Sequence, residues 1–191
     1  MIVFGWTVEK GHGLTWEPFG INGGQADLLL LWNEPLLRAQ LARRDPGLIV
    51  LAYGTNEASD PLWHTESYRD MFARLVTRLR AMAPTASILV IGPDDRWAVT
   101  GGRRRPHPGI EGIIADQREV CRQLGCAYWD LRARMGGSGS MLDWVYGGFA
   151  QPDYVHFNVA GYRRLGAVLF GDLMRQFEAY RQARLSKDQN P

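Results

Sequence analysis

Continuous apolar runs alternate with stretches of helical periodicity along this chain. Three of the runs are rich in β-branched or aromatic residues and show no polar alternation: residues 48–53, 88–91 and 126–131. Such runs are typical of strands that are buried on both faces of a parallel sheet. A shorter run over residues 14–19 predicts a further strand. The alternation as a whole predicts an α/β fold.

The periodic stretches predict the helices that cover this sheet. One stripe of apolar side chains recurs at helical spacing before Pro84, which ends the helix. It consists of Tyr68, Met71, Phe72, Leu75, Leu79 and Met82. A last helix is predicted to begin near Ala160, before a polar tail over residues 183–191 that we expect to be disordered. The side chains expected on its inner face are Tyr162, Leu165, Leu169, Phe177 and Tyr180.

Composition narrows the classes of protein. The 191 residues are 46% hydrophobic, which is enough for one compact domain. The formal net charge is only +2, and no apolar run could span a bilayer, so neither a nucleic-acid binder nor a membrane protein is indicated.

The spacing of Cys121 and Cys126 is not that of a metal-binding pair or of a redox-active C-x-x-C pair, and free thiols are favoured over a disulfide. The arginine-rich residues 101–109 predict a loop, either solvated or able to bind an anion.

Two polar motifs follow predicted strands, where ligands bind in open parallel sheets. Residues 19–25 (FGINGGQ) form a glycine-rich turn before an apolar helix over residues 26–32. The turn lacks the G-x-G-x-x-G spacing of a dinucleotide-binding fingerprint, so nucleotide binding is disfavoured. On its own, the turn is explained by a tight connection between a strand and a helix. Residues 53–57 (YGTNE) place Asn56 at the end of the most apolar strand. Its amide is suited to donate to an oxyanion, although an Asx turn or a helix cap is the ordinary alternative.

A third motif, residues 152–156 (PDYVH), places Asp153 three residues before His156. Within one turn-like segment, this spacing lets the carboxylate reach the imidazole Nδ1 proton while Nε2 faces the cleft as a general base. Alone, such a pair is more often a hydrogen bond at a helix entry. Together with the two preceding motifs, it favours catalysis.

The order of these motifs resembles the SGNH (GDSL-type) hydrolase family, through Gly23 in GINGG, Asn56 in GTNE and the box of Asp153 and His156. The resemblance spans nearly the whole chain and implies a flavodoxin-like three-layer sandwich. It implies that the Gly23 N–H and the Asn56 amide are oxyanion-hole donors and that His156, held by Asp153, is the base.

The sequence that surrounds the motifs is most similar to that of the bacterial cell-wall O-acetylesterases. That similarity implies deacetylation of an O-acetylated polysaccharide, with peptidoglycan as the expected example, without a metal or an organic cofactor.

The family's serine block is not found in the sequence. In the family pattern the nucleophile lies in a Gly-Asp-Ser box before the glycine turn, and this tripeptide does not occur here. Ser59, the first serine, follows both oxyanion motifs, and Thr7 lies too close to Gly23 for an intervening helix and strand. We therefore expect the nucleophile in a missing N-terminal segment or on a partner chain. Residues 1–10 are interpreted as a remnant of an inserted β-rich domain or an N-terminal strand, and residues 11–182 as an incomplete hydrolase domain.

Three explanations stay open: a gene start assigned too late, which we favour, a fragment, or a degenerate paralogue. In the strand order 2-1-3-4-5 the first strand lies inside the sheet, so its absence predicts unpaired edges, poor stability and little or no activity. The alternative class is a non-catalytic carbohydrate-binding or scaffold protein that uses Trp63, Trp97, Trp129 or Trp144. The compartment stays open: periplasmic or secreted if a missing segment carries a signal, otherwise cytoplasmic.

Overall fold

The computed structural model of the protein describes residues 10–60, Trp63 and residues 65–188. Its elements, in chain order, are α1 (Leu28–Leu31), α2 (Glu34–Arg44), β1 (Leu48–Ala52), a 3-10 turn (Glu57–Ser59), α3 (Thr65–Met82), β2 (Ser87–Ile91), β3 (Trp97–Thr100), β4 (Arg103–Pro106), α4 (Gly109–Leu124), β5 (Ala127–Trp129), α5 (Leu131–Met135), α6 (Met141–Tyr146) and α7 (Val159–Asp188). None of these helices is long and apolar enough to cross a bilayer. The expectations for residues 1–9 lie outside the described residues.

Strands β1, β2 and β5 form a parallel sheet in the order β1-β2-β5. In its register Leu48 lies opposite Ser87, and Leu89 lies opposite Ala127. Strand β2 is central, and Val90 within it is fully buried. The α/β class predicted from the apolar runs is therefore confirmed, and each of the three longer runs contains a strand.

Helices α3 and α4 pack against each other and carry most of the core. All six apolar residues predicted for the stripe of α3 are buried, and Pro84 follows the end of the helix at Met82. Gln117 of α4 is also fully buried, and its amide donates to the Tyr53 carbonyl at 2.8 Å and to the Tyr68 hydroxyl at 2.9 Å. These bonds satisfy polar groups at the end of β1, which positions the segment that follows it.

The strand predicted over residues 14–19 does not form. Leu14 is 91% exposed and Trp16 is 63% exposed, and the backbone of this segment joins no sheet. A strand requires a hydrogen-bonding neighbour, and no strand among the described residues pairs with the outer edge of β1. Strand β1 is not buried throughout as predicted, since Leu48 and Ala52 at its ends are exposed.

The arginine-rich segment is a β-hairpin rather than the predicted loop. Strands β3 and β4 pair antiparallel through a two-residue turn at Gly101 and Gly102, whose φ angles are 59° and 73°. Consecutive left-handed residues are typical of a type I′ hairpin turn, which two glycines permit without strain. The glycines that indicated a loop therefore close a regular hairpin.

Helix α7 begins at Val159, one residue from the predicted start, and continues through residues 183–188 of the expected tail. Asp172 is its last buried residue, and its carboxylate accepts a hydrogen bond from Trp129 Nε1 at 2.8 Å. Of the predicted inner face, Leu165 is buried, whereas Tyr162, Phe177 and Tyr180 are exposed. The prediction fails for Phe177 and Tyr180 because α7 extends beyond the core that it covers, whereas Tyr162 lies in the first turn with its ring against Phe157.

The two cysteines are free thiols that lie together at the end of α4 and the start of β5. Cys126 is partly exposed, and Arg80 Nη2 lies 3.9 Å from its sulfur. The hydrogen bond from the Cys121 thiol and the nearby guanidinium lower the pKa of Cys126 to about 6. Burial and the same bond raise the pKa of Cys121.

We expect iodoacetamide at neutral pH to alkylate Cys126 about threefold faster than an ordinary exposed thiol, because the gain in thiolate fraction outweighs the lower nucleophilicity of a thiolate whose pKa is lower. Peptide mapping by mass spectrometry over a pH series measures this rate. A Cys126→Ser variant should remain unlabelled over the same period. A rate that keeps rising to about pH 9, as for an unperturbed thiol, would contradict the expectation.

Candidate active site

A small cavity opens at the carboxyl ends of β1 and β2. Its volume is about 110 Å³, and its walls come from Gly24, residues 52–56, residues 91–93 and Leu131. A larger groove of about 950 Å³ lies between α2 and α3; it is lined by Trp63 but by none of the candidate catalytic or oxyanion-hole residues. The small cavity is therefore the candidate active site, because ligands of open parallel sheets bind among the loops that follow the carboxyl ends of the strands.

The loop after β1 brings Asn56 to the glycine-rich turn. Gly54 has a φ of 121°, and an added Cβ would lie 2.8 Å from Ile113, so only glycine fits here. Asn56 Nδ2 donates to the Gly24 carbonyl at 3.0 Å, which leaves a second amide hydrogen for another acceptor. Gly23 is exposed with a φ of 70°, and its N–H has no partner among the described residues. Gly24, rather than Gly23, lines the cavity.

Glu57 ties these two segments together, a role that the sequence analysis missed. Its carboxyl group is 1% exposed and accepts hydrogen bonds from Ala26 N at 2.8 Å and Gly54 N at 2.9 Å. Burial raises the pKa of Glu57, while these backbone hydrogen bonds oppose the rise. The only signal in the sequence was a charged residue directly after Asn56, in a position that a strand-end turn would normally leave in solvent.

Asp153 and His156 form the expected pair. Asp153 Oδ2 lies 2.8 Å from His156 Nδ1, while its other oxygen accepts from the backbone N–H groups of Val155 at 2.9 Å and His156 at 3.0 Å. Partial burial raises the pKa of Asp153, but these hydrogen bonds outweigh it and hold the pKa below its ordinary value. The imidazole is 70% exposed, so its Nε2 is open to a reactant.

The backbone around this pair is closed like a hairpin. Gln151 N donates to the His156 carbonyl at 2.7 Å, and Asn158 N donates to the Phe149 carbonyl at 3.1 Å. Tyr154 takes a left-handed φ of 64°, which costs a non-glycine residue about 1 kcal/mol or more. Its carbonyl accepts from Trp97 N at 2.9 Å, and the two rings pack with centroids 5.3 Å apart. The segment after β2 therefore holds the histidine loop in place.

Asp94, in the same segment, connects both halves of the site. It is 5% exposed, and its carboxyl group accepts from the Thr55 hydroxyl at 3.0 Å. Burial raises the pKa of Asp94 to about 6, against the Thr55 hydrogen bond and the charges of Arg96 and His156, which lower it. Arg96 Nη1 also donates to the Thr55 carbonyl at 2.8 Å. Asp94 thus lies beside the loop of Asn56 and within electrostatic range of His156.

Replacing Asp94 with asparagine is expected to stabilise the protein above neutral pH. The raised pKa means that the folded state holds the proton more tightly than the unfolded state, so this contribution is complete below the ordinary value of 3.8 and is lost as the pH rises through about 6. At about 1.4 kcal/mol per pKa unit, D94N should be more stable than the parent by roughly 3 kcal/mol at about pH 8 and by little at about pH 3.

Chemical denaturation at these two pH values measures the difference for D94N. Asp70 is exposed on α3, and D70N, measured in the same way, is the matched control for the loss of one exposed carboxylate. A difference between D94N and the parent that stays the same at both pH values would count against an ionised, buried Asp94.

The arrangement offers a general base held by a carboxylate, the Asn56 amide at the cavity, and, in the adjoining turn, a Gly23 N–H that has no partner among the described residues. Asp94 and Glu57 add the two buried carboxyl groups that hold the loops in register, and Asp94 was missed because adjacent aspartates after a strand usually indicate a solvated turn. Among the described residues, no group of three or more His, Cys, Asp or Glu side chains could hold a metal ion.

Comparison with solved structures gives the same fold. A peptidoglycan O-acetylesterase superposes with a TM-score of 0.76 at 29% identity, over 82% of this chain and 45% of that one. A lipase/acylhydrolase from Enterococcus faecalis superposes with a TM-score of 0.57 at 20% identity, over 81% of this chain and 72% of that one. The acetyl xylan esterase AlAXEase superposes with a TM-score of 0.60 at 16% identity, over 80% of this chain and 78% of that one.

The chain spans less than half the length of that peptidoglycan O-acetylesterase. No curated protein matches the chain. The sequence profile of the GDSL-like lipase/acylhydrolase family matches residues 5–164, which include Gly23, Asn56, Asp153 and His156. The chain belongs to the GDSL-like lipase/acylhydrolase family.

Proposed function

We propose that this chain supplies the base and the oxyanion-hole donors of a carboxylic ester hydrolase that removes acetyl groups from O-acetylated polysaccharide. The observation that carries the proposal is the contact of 2.8 Å between Asp153 and His156 on a loop that leaves the imidazole open. A carboxylate on Nδ1 fixes the tautomer whose Nε2 accepts a proton, and it stabilises the imidazolium that forms.

The reaction has the steps of acyl transfer to a serine. The serine oxygen attacks the ester carbonyl and its proton passes to His156 Nε2, which then gives that proton to the sugar oxygen as the bond from this oxygen to the acyl carbon breaks. Water, deprotonated by His156, next attacks the acyl-enzyme; acetate leaves, and the proton passes from His156 to the serine oxygen. The Gly23 N–H and the second Asn56 amide hydrogen donate to the oxyanion in both tetrahedral intermediates. Asp153 keeps its negative charge throughout because its hydrogen bonds lower its pKa.

The nucleophilic serine belongs, in this proposal, to a segment outside these 191 residues. No Gly-Asp-Ser tripeptide occurs in the sequence. The outer edge of β1 is unpaired among the described residues and ends beside the cavity, so a parallel strand placed there would deliver its carboxyl end to Asn56. We expect the present chain alone to be inactive or very weakly active.

The substrate that we propose is O-acetylated peptidoglycan. Support comes from the solved peptidoglycan O-acetylesterase, whose identity of 29% is the highest of the three superposed structures. The acetyl xylan esterase resembles this chain at the level of fold alone.

The proposal is tested by acetate release from O-acetylated peptidoglycan and from 4-methylumbelliferyl acetate. Four proteins are compared: this chain and a form extended by its upstream coding sequence, each with and without His156→Ala. Activity confined to the extended, His156-intact protein supports the proposal. Activity of the short chain that is lost with His156→Ala would reveal a nucleophile within these residues and would refute the external serine.

The alternative is a catalytically inactive paralogue that binds carbohydrate or acts as a scaffold. The partly exposed ring pair of Trp97 and Tyr154 favours it, since such rings stack on sugars. Of the other tryptophans considered for this role, Trp144 is buried in the core. Binding of acetylated peptidoglycan by the extended protein without any acetate release would identify this alternative.

A further inference from the structure

The hairpin β3–β4 carries three adjacent arginines that no described carboxylate neutralises. Arg103, Arg104 and Arg105 are exposed, and none of them makes an ion pair within residues 10–60, 63 and 65–188. In contrast, ten arginines elsewhere in these residues pair with Asp or Glu. The hairpin therefore carries three adjacent positive charges that are not paired, in a chain whose formal net charge is only +2.

The hairpin is fixed to the loop that holds His156. Arg104 Nη1 donates to the Pro152 carbonyl, and its guanidinium lies 4.7 Å from the centre of the Tyr154 ring. Trp97, at the start of β3, contacts Tyr154 of the same loop through its backbone N–H and its ring. One arginine therefore lies directly against the segment between Asp153 and His156, and most of its N–H donors remain open.

The other two arginines stand together on the outer face of the hairpin. Side chains alternate along a strand, so Arg103 and Arg105 lie on the face opposite Arg104. Neither side chain makes a hydrogen bond or an ion pair with another described residue. The two residues lie about 7 Å apart along the strand, within the Debye length of about 8 Å at physiological salt, so both charges act on one bound anion.

We propose that the outer face of this hairpin is an anion subsite that binds carboxylate groups of the polysaccharide whose ester is cleaved. The inference rests on the proposed function and adds to it a substrate class, an O-acetylated glycan that carries carboxylates. Guanidinium groups bind carboxylates through paired N–H donors, which suits this ligand better than a neutral glycan.

The test measures binding to the full chain rather than activity. Muramidase-released peptidoglycan fragments, with their carboxyl groups free or amidated, are titrated calorimetrically at low and physiological salt. We expect the free-carboxyl fragments to bind about fivefold tighter than the amidated ones, and R103Q/R105Q to abolish that preference. Because neither side chain has a described partner, the thermal midpoint of this variant should not change.

The matched control is R43Q/R74Q, which removes two exposed, unpaired arginines on α2 and α3 and should leave the preference intact. Equal affinity for free and amidated fragments, or an equal loss in both double variants, would overturn the subsite. Carboxylate preference without acetate release by the extended protein would refute the esterase and leave the subsite standing. Acetate release without carboxylate preference would refute the subsite and leave the esterase standing.

Discussion

Replacing His156 with alanine is expected to lower kcat/KM for acetyl esters by at least about a thousandfold in the protein that carries the serine segment, because the attacking hydroxyl then has no base. The structure predicts that the fold survives. The imidazole is 70% exposed. Asp153 keeps the hydrogen bonds from Val155 N and His156 N, which belong to the backbone and do not depend on the removed ring.

His12 provides the matched control for His156→Ala. It is exposed near the start of the described residues and contacts none of the site. His12→Ala should retain full activity, which separates loss of the base from general imidazole-assisted hydrolysis of an activated ester. If His156→Ala kept more than about a tenth of the parent rate at unchanged thermal stability, the proposed role of His156 would be wrong.

The sheet, α3 and the polar motifs were predictable because each depends on local sequence. The stripe from Tyr68 to Met82 follows helical period and is buried throughout, and residues 88–91 are apolar because β2 has neighbours on both sides. Asp153 and His156 meet because they are three positions apart in one tight loop. The structure adds the 2.8 Å contact between their side chains.

Features that depend on distant partners were not predictable. Residues 14–19 have the composition of a strand, yet they stay unpaired because composition does not say whether a neighbouring strand exists. Glu57 and Asp94 look like surface acids in the sequence, and only the folded chain shows the buried donors that they accept from: Ala26 N, Gly54 N and the Thr55 hydroxyl. Asn56 lies between these two kinds of feature, since its position after β1 was clear but its partner Gly24 was not.

Replacing Asn56 with alanine is expected to lower kcat for acetyl esters by about a hundredfold to a thousandfold and to change KM little, since the lost amide donates to charge that exists only in the transition state. The variant also loses the hydrogen bond to the Gly24 carbonyl. That loss alone should cost about 1 kcal/mol of stability. Glu57, which independently joins Ala26 to Gly54, should keep the loop in place.

Two comparisons separate a transition-state donor from a structural residue at position 56. Asn22 lies exposed in the same glycine-rich turn, so Asn22→Ala should leave both kcat and KM unchanged. A purely structural Asn56 would lower kcat in proportion to the unfolded fraction, and added salt or lower temperature would restore it. A donor to the oxyanion instead gives a fully folded enzyme, with the parent's melting curve nearly retained, whose acylation is slow. An Asn56→Ala protein that releases acetate at the parent rate would exclude this amide from the oxyanion hole.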